Sequence, residues 1–239
     1  ARLGWAYMRK RQHAEALAAG ENALALDPGY ADGYSVMASI FNNVGRPEEG
    51  LRMARKAMRL NPHYSYKYIY RVGQAQLMLG RKEEALVSLE RAKALTPKTK
   101  NIRRHLVVLY DETGRKDKAR AQIAELIRLD PWESVARAAR NCAYYPKALK
   151  WFTDGLRKAG YPEKVKVRTV VAVLGKVKKK GRVLVITDGG KDATVRVSRG
   201  FTNINIGGKT AKRKALKAGM NCTISYLGSG TKAKSVLCN

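Results

Sequence analysis

The sequence predicts an α+β chain with two domains, an all-helical solenoid followed by a small antiparallel β-barrel. Prolines recur every 34 or 35 residues in the first half of the 239-residue chain. From Lys164 onward the apolar period changes from about 3.6 residues to two, which is typical of strands. The chain therefore divides into residues 1–131, 132–163 and 164–239. The recurring prolines are Pro28, Pro62, Pro97 and Pro131.

The first segment contains four repeats of one helix pair. Gly45, Gly80 and Gly114 keep the proline interval, and Arg11 stands in the corresponding place of the first repeat. Glycine permits the turn between two antiparallel helices, and proline ends the second helix. One pair cannot bury its apolar face alone, so stacked pairs form a solenoid.

The spacing from Pro62 to Pro97 is one residue longer than the other two spacings, which predicts an extra loop residue at 63–65. The alternation of Tyr64, Tyr66, Tyr68 and Tyr70 resembles a strand, but the repeat places most of it at the start of a helix. Ala1 falls inside the first helix of repeat one, so the chain is expected to be the C-terminal piece of a longer protein.

The residues of the third repeat carry a family resemblance. Gly73, Ala75, Gly80, Ala85 and Ala92 keep the spacing of the tetratricopeptide repeat (TPR), which residues 1–131 resemble. The resemblance implies a concave surface that binds protein segments through the first helix of each repeat. The implied partner-binding residues are Trp5, Asn42, Lys67, Tyr70, Arg71, Gln74, Arg104 and His105.

These side chains combine cations with aromatic rings, which suits an extended acidic peptide or a C-terminal carboxylate. The Lys/Asn clamp of chaperone-binding TPR proteins is not reproduced, because Trp5, Ser39, Gln74 and Val108 occupy its position. The alternative is a solvated concave face without a specific ligand.

The connecting segment, residues 132–163, continues as helix. Ser134 is a candidate N-cap for a helix that ends near Asn141, and Pro146 suits the first turn of a second helix that ends near Gly160. The second helix is expected to seal the open end of the solenoid. Residues 152–163 resemble the end of the TPR region in bacterial class III adenylate/guanylate cyclases. That resemblance implies a catalytic domain upstream and a regulatory role for this chain.

The last segment alternates apolar and polar residues in short stretches. Asp188 to Lys191 and Gly228 to Gly230 are hairpin turns by composition. Five to six strands with a helical turn at 212–217 predict a barrel of OB-like type. The run from Ile206 to Tyr226 resembles small bacterial β-barrel domains often found in exported proteins.

Cys222 and Cys238 lie on the two arms of the last predicted hairpin. A cross-strand disulfide there implies an oxidising compartment, the periplasm or the exterior. The alternative is two buried thiols in a reducing cytoplasm, which a cyclase-like protein would favour. The third cysteine, Cys142, has no predicted disulfide partner and is expected to be a buried helix residue.

Positive charge is concentrated in the last segment. The whole chain has a formal net charge of +29, and residues 164–239 hold 18 Lys and Arg against two Asp. Such density predicts binding to a polyanion, which can be nucleic acid, an anionic membrane surface or an acidic protein. Phe201 and Tyr226 are the only aromatic residues of this segment, which argues against base stacking. The two basic clusters are Lys176, Lys178, Lys179, Lys180 and Arg182, and Lys209, Lys212, Arg213, Lys214 and Lys217. The alternative is a set of solvated loop lysines.

No catalytic constellation is recognisable. Residues 207–210 end like a phosphate-binding loop, but Asn203 stands where that motif needs glycine. The three histidines lie in three different repeats without metal-ligand spacing. The sequence therefore predicts a non-catalytic protein-interaction scaffold without cofactor or metal. A nonspecific nucleic-acid or polyanion module and the regulatory region of a cyclase are the alternatives.

Overall fold

The computed structural model describes residues 2–165, 167–227 and 231–239. The chain divides into two compact units, residues 1–164 and residues 165–239. The boundary predicted from the change of period was 163/164. No helix in the described ranges has both the length and the apolar character that crossing a membrane requires.

The first unit contains ten helices within its described residues, and the first eight form four antiparallel pairs. The ten helices are α1 Arg2–Arg9, α2 His13–Leu26, α3 Ala31–Val44, α4 Pro47–Leu60, α5 Tyr66–Met78, α6 Lys82–Leu95, α7 Lys100–Glu112, α8 Lys116–Leu129, α9 Val135–Asn141 and α10 Pro146–Lys158. The first helices of successive pairs, α1, α3, α5 and α7, are neighbours and build one continuous surface.

The turn within each pair uses a left-handed residue. Gly45, Gly80 and Gly114 have φ of 84°, 73° and 74°. Arg11 has φ of 61° in the same place of the first pair. A left-handed conformation costs a non-glycine residue about 1–2 kcal/mol, so Arg11 bears a strain that the other pairs avoid.

The extra residue is found where the spacing predicted it. Five residues separate α4 from α5, whereas four separate α2 from α3 and α6 from α7. The tyrosine alternation is helical from Tyr66 onward, and Tyr68 is buried beneath α3, where its hydroxyl donates to Asp32 Oδ1 at 2.8 Å.

The connecting helices begin where the sequence indicated. Ser134 Oγ accepts a hydrogen bond from the Arg137 amide and caps α9, and Pro146 is the first residue of α10. Helix α10 packs on α7, with Phe152 and Leu156 in one apolar cluster with Val108. A Cβ on Gly155 would lie 2.7 Å from Val108 Cγ1, so glycine permits this close approach. Helix α10 therefore covers part of the surface that α7 was expected to offer to a partner.

The second unit contains two sheets within its described residues. Their strands are β1 Arg168–Val173, β2 Lys176–Lys178, β3 Val183–Asp188, β4 Lys191–Arg196, β5 Asn203–Ile206, β6 Lys209–Thr210, β7 Asn221–Tyr226 and β8 Ser235–Cys238. One sheet has the order β1-β7-β8-β5-β6 and the other β2-β3-β4. A 3-10 turn at Arg213–Ala215 precedes β7.

The described residues of this unit contain eight strands where five to six were predicted, and one pairing departs from the predicted antiparallel arrangement. Strand β5 pairs with β8 in parallel, so the unit is not wholly antiparallel. The strands in the described ranges form two sheets, which a parallel bridge between Arg196 and Lys232 connects, and closure into a barrel is not shown. The sheets enclose one apolar core that includes Leu174, Leu184, Val195 and Ile224. The predicted turn at 188–191 joins β3 to β4, while the one at 228–230 lies outside the described residues.

A disulfide joins Cys222 of β7 to Cys238 of β8. The two cysteines are direct cross-strand partners in the antiparallel register, and both side chains are buried. The bond therefore links the start of β7 to the end of β8, at the open end of the hairpin.

Candidate functional site

A cavity of about 500 Å³ lies in the first unit, on the surface built by the first helices of the pairs. Residues of α1, α3 and α5 line most of it, and residues 140–144 from the end of α9 and the chain beyond close one side. The lining combines aromatic rings with arginine and lysine side chains.

The charge of the cavity is strongly one-sided. Asp32 is its acidic residue among the described lining, and Asp32 accepts the Tyr68 hydroxyl. Five cations line the same cavity. Among the described residues, none of the five forms an ion pair with a carboxylate. They are Arg2, Arg9, Lys67, Arg71 and Arg140.

Arg71 is the most constrained of these cations. Its Nη1 lies 3.4 Å from Gln74 Oε1, and its guanidinium lies 5.1 Å from the centre of the Tyr70 ring. The backbone carbonyl of Arg71 accepts from Asn42 Nδ2 at 3.0 Å, which fixes the helix position. Burial lowers the pKa of Arg71, although a guanidinium remains protonated. Arg71 is therefore a half-buried charge whose side chain has amide and aromatic contacts but no carboxylate partner among the described residues.

Tyr144 closes the cavity on the side of α7. Gln74 Nε2 donates to Tyr144 Oη at 2.9 Å, and the Tyr144 hydroxyl contacts His105 Nε2. His105 Nδ1 lies 2.7 Å from the carbonyl oxygen of Asn101, which only accepts, so Nδ1 carries the proton. His105 Nε2 therefore accepts a hydrogen bond from the Tyr144 hydroxyl. Burial lowers the pKa of His105 to about 4, and the charges of Arg104 and Arg71 add to this effect.

Six of the eight predicted partner-binding residues line the cavity: Trp5, Lys67, Tyr70, Arg71, Gln74 and His105. Gln74 and His105 are only 3% and 2% exposed because Tyr144 lies over them.

The other two predicted residues, Asn42 and Arg104, do not line the cavity. Asn42 is fully buried between α3 and α5 and bonds to Arg71 and Gln74. Arg104 forms a bidentate ion pair with Glu133, whose side chain is buried, at 2.7 Å and 3.1 Å. Both side chains form buried polar contacts within the protein, which a repeat position alone does not reveal.

Several residues that line the cavity were not among the predicted partner-binding residues. Arg2, Arg9 and Tyr66 lie on the first helices of repeats, so their positions in the repeat could have identified them. Arg140 and Tyr144 come from the connecting segment, which has no repeat register and therefore offered no such indication.

In the second unit the two basic clusters meet. A Cβ on Gly181 would lie 1.9 Å from the carbonyl oxygen of Arg213, so the turn after β2 touches the 3-10 turn. The Leu174 amide donates to Met220 O and the Gly219 amide to Leu174 O, both at 2.9 Å, which joins the other ends of the two segments. Nine of the ten predicted cations are exposed and Arg213 is half-buried. Among the described residues, none of the ten forms an ion pair.

The aromatic residues of the second unit offer little for stacking. Tyr226 is 1% exposed, and its hydroxyl donates to Asp188, whose carboxylate also contacts Arg168. Phe201 is half-buried. The cationic surface is therefore flanked by few ring faces.

The described residues contain no group of three His, Cys, Asp or Glu side chains arranged to hold a metal. The chemistry that the two cationic sites offer is recognition of negative charge.

The family described as Tetratricopeptide repeat matches residues 1–30. This match supports the TPR prediction for the first helix pair, and the regular pairs that follow repeat its architecture. No curated protein matches the chain.

Solved TPR structures are similar to the chain. A crystal structure of MamA is 25% identical with a TM-score of 0.46, covering 66% of this chain and 92% of the other. A thermophilic TPR protein of Thermus thermophilus is 26% identical with a TM-score of 0.48, covering 65% and 78%. YrrB, described as a TPR protein with an unusual peptide-binding site, is 24% identical with a TM-score of 0.45, covering 65% and 80%.

Proposed function

We propose that the chain is a non-catalytic protein-interaction scaffold whose helical unit binds an extended acidic segment of a partner protein. The observation that carries the proposal is the cavity of about 500 Å³, in which five cations face one acidic residue among the described lining. Carboxylates are the groups that such a site recognises, because guanidinium and carboxylate form charge-assisted hydrogen bonds of matching geometry.

The aromatic lining supports a peptide as the form of the ligand. Trp5 and Tyr66 line the cavity beside the cations and provide apolar area for the backbone and side chains of an extended segment. Arg71 lies among them and gains an ionic partner when a carboxylate enters. A site of this kind binds through a few fixed contacts, so its affinity depends on particular residues.

A fluorescein-labelled peptide of about ten residues, rich in Glu, tests this proposal by fluorescence anisotropy. Arg71→Gln keeps an amide near Gln74 but removes the charge, and we expect at least tenfold weaker binding, about 1.4 kcal/mol. Arg55→Gln is the matched control, because Arg55 is exposed on α4 and does not line the cavity. Equal affinity of the wild-type and Arg71→Gln chains would contradict the proposal.

A second function is supported by the meeting of the two basic clusters in the other unit. We propose that this surface makes a nonspecific contact with the phosphates of nucleic acid. Ten cations without ion pairs among the described residues provide the charge density that phosphate binding requires. Few aromatic rings are exposed for stacking on bases, so we expect binding without sequence preference.

Titration of random-sequence duplex DNA at several salt concentrations tests the second function. The logarithm of the affinity should fall linearly with the logarithm of the salt concentration, with a slope near −0.9 for each phosphate neutralised. Replacing Lys179, Lys180 and Lys214 together by Gln should reduce the slope by about two to three. Absence of binding at about 50 mM salt would eliminate this function.

A further inference from the structure

The segment between α9 and α10 crosses the concave surface in an extended conformation. We call residues 142–145 the strap. The Tyr145 amide donates to the Asn43 carbonyl oxygen at 2.8 Å, and the Ala143 carbonyl oxygen lies 3.2 Å from His13 Nε2. The strap thus contacts the helical unit from its second helix to its seventh, over a course that an extended peptide would take.

Tyr144 anchors the strap through a specific site. Its ring meets the rings of His105 and Phe152 edge to face, at centroid distances of 6.0 Å and 5.6 Å. Its hydroxyl accepts from Gln74 and donates to His105. The neutral tautomer of His105, fixed by the carbonyl of Asn101, leaves an acceptor at Nε2. The site is therefore complementary to a phenol hydroxyl, which can both donate and accept.

Arg11 provides an independent observation. It occupies the left-handed turn position where the other three pairs have glycine, and its Nη2 lies 3.2 Å from the carbonyl oxygen of Ala139 and 3.4 Å from that of Cys142. The first helix pair is the one with a non-glycine residue at this turn, and the side chain of that residue, Arg11, contacts the N-terminal end of the strap.

We infer that Gln74 and His105 form a subsite for a tyrosine side chain of an extended peptide, and that Tyr144 fills this subsite from within the chain. A partner side chain reaches Gln74 and His105 only by displacing Tyr144 of the strap. This inference rests on the proposed scaffold function and specifies one residue of the partner segment. It does not depend on the acidic ligand, because the strap and its flanks carry no acidic side chain.

The strap has an advantage over a partner because it is tethered. Short tethers give effective concentrations in the millimolar range, so a free peptide with the same contacts does not displace the strap at micromolar concentration. Backbone groups of the strap are held by hydrogen bonds with Arg11, His13 and Asn43, far away in the sequence. The Tyr144 side chain adds the hydrogen bonds with Gln74 and His105.

The test supplies the strap in trans. A labelled peptide with the sequence of residues 139–147, with Ser in place of Cys142, is titrated into the full chain carrying Tyr144→Ala. We expect measurable binding to this variant and at least tenfold weaker binding to the wild-type chain. The matched control is the same peptide with Ala in place of Tyr144, which should bind the variant at least tenfold more weakly.

Equal binding of the peptide to both chains, equal binding of both peptides, or no binding to a folded variant would each overturn the inference. Circular dichroism and cooperative unfolding establish whether the Tyr144→Ala chain is folded. Weak binding of an acidic peptide to the wild-type chain would count against the proposed function alone, since Arg71 rather than Tyr144 governs that measurement.

Hydrogen exchange in the wild-type chain keeps the inference testable if the variant does not fold. The Tyr145 amide should exchange at least tenfold faster than the amides of Gln74 and His105, because a displaceable strap opens before the helices unfold. Exchange of all three amides at one rate would show that the strap opens only with global unfolding, and would overturn the inference.

Discussion

The two units carry charge of the same sign in opposite ways. In the helical unit one of the five cavity cations, Arg71, is half-buried and contacts Gln74 and Tyr70, whereas the other four are exposed. In the β unit the cations of the two basic clusters are many, mostly exposed and without ion pairs among the described residues. The position of the Arg71 charge is therefore fixed by its neighbours, whereas the β unit offers a high density of solvated charge. Under the two proposed functions, we expect the helical unit to select a partner through the fixed charge of Arg71 and the β unit to attract polyanions through charge density.

The largest expected effect is on the stability of the helical unit, when the buried ion pair of Arg104 with Glu133 is broken. Glu133→Gln leaves Arg104 buried without its bidentate carboxylate, and also weakens the contacts with Lys100 and Tyr161. Removing one partner of a buried pair costs about 3–5 kcal/mol, so urea unfolding of the helical unit should shift by that amount. The control is Glu125→Gln, whose pair with the exposed Arg128 should contribute far less because solvent screens exposed ion pairs. Similar shifts for both variants would remove the distinction between held and solvated charges.

The next prediction concerns what holds the β unit together. The disulfide from Cys222 to Cys238 spans a sequence separation of 16 residues. Closing a loop of that length stabilises by about 3 kcal/mol in the chain-entropy model. Reductant should therefore accelerate hydrogen exchange at β7 and β8 in the wild-type chain. The double variant Cys222→Ala with Cys238→Ala should show that faster exchange with or without reductant, and exchange in α5 and α7 should not change. Insensitivity of β7 to reductant would show that packing alone holds the unit.

His105 makes the stability of the helical unit depend on pH. Its pKa is about 4 in the folded chain, against about 6.5 when unfolded. Between these values the unfolded chain binds a proton that the folded chain does not, so stability falls as the pH falls. We expect a loss of about 2 kcal/mol between about pH 7.5 and 5.0, measured by urea unfolding. His105→Gln should lose most of this dependence, and an unchanged profile would contradict the assignment.

The smallest expected effect is on the β unit. Lys179 and Lys180 are left-handed, with φ of 52° and 54°, and glutamine bears the same strain there. Replacing both by Gln should change the free energy of unfolding by less than about 0.5 kcal/mol, as is usual at exposed positions. A larger loss, measured by urea unfolding, would mean that these lysines have partners and that the surface is not simply solvated.

Much of the helical unit follows from the sequence because its repeat fixes local geometry. The proline spacing located the extra residue between α4 and α5, and the glycine interval identified Arg11 as a turn residue before its φ of 61° was seen. The side chains of Asn42 and Arg104 could not be assigned in this way, because their partners Arg71 and Glu133 lie 29 residues away. The strap could not be predicted either, because the segment that forms it belongs to no repeat.

The β unit was predicted less completely, for a physical reason. Alternation identifies strands and hairpins but not the order of strands in a sheet, and the parallel pair of β5 with β8 depends on contacts between distant segments. Closure of a barrel and the resemblance of residues 152–163 to the TPR regions of cyclases stay predictions. The meeting of the two basic clusters depends on Gly181, which allows one turn to touch the other.

The central claim is that geometry governs one cationic site and density the other, and a crossed titration tests it directly. Two ligands, the Glu-rich peptide and random-sequence DNA, are titrated against the Arg71→Gln chain and against the chain with Lys179, Lys180 and Lys214 replaced by Gln. We predict that Arg71→Gln weakens peptide binding at least tenfold and leaves DNA binding unchanged, while the lysine variant does the reverse. Loss of peptide binding in the lysine variant with full binding in Arg71→Gln would contradict the account.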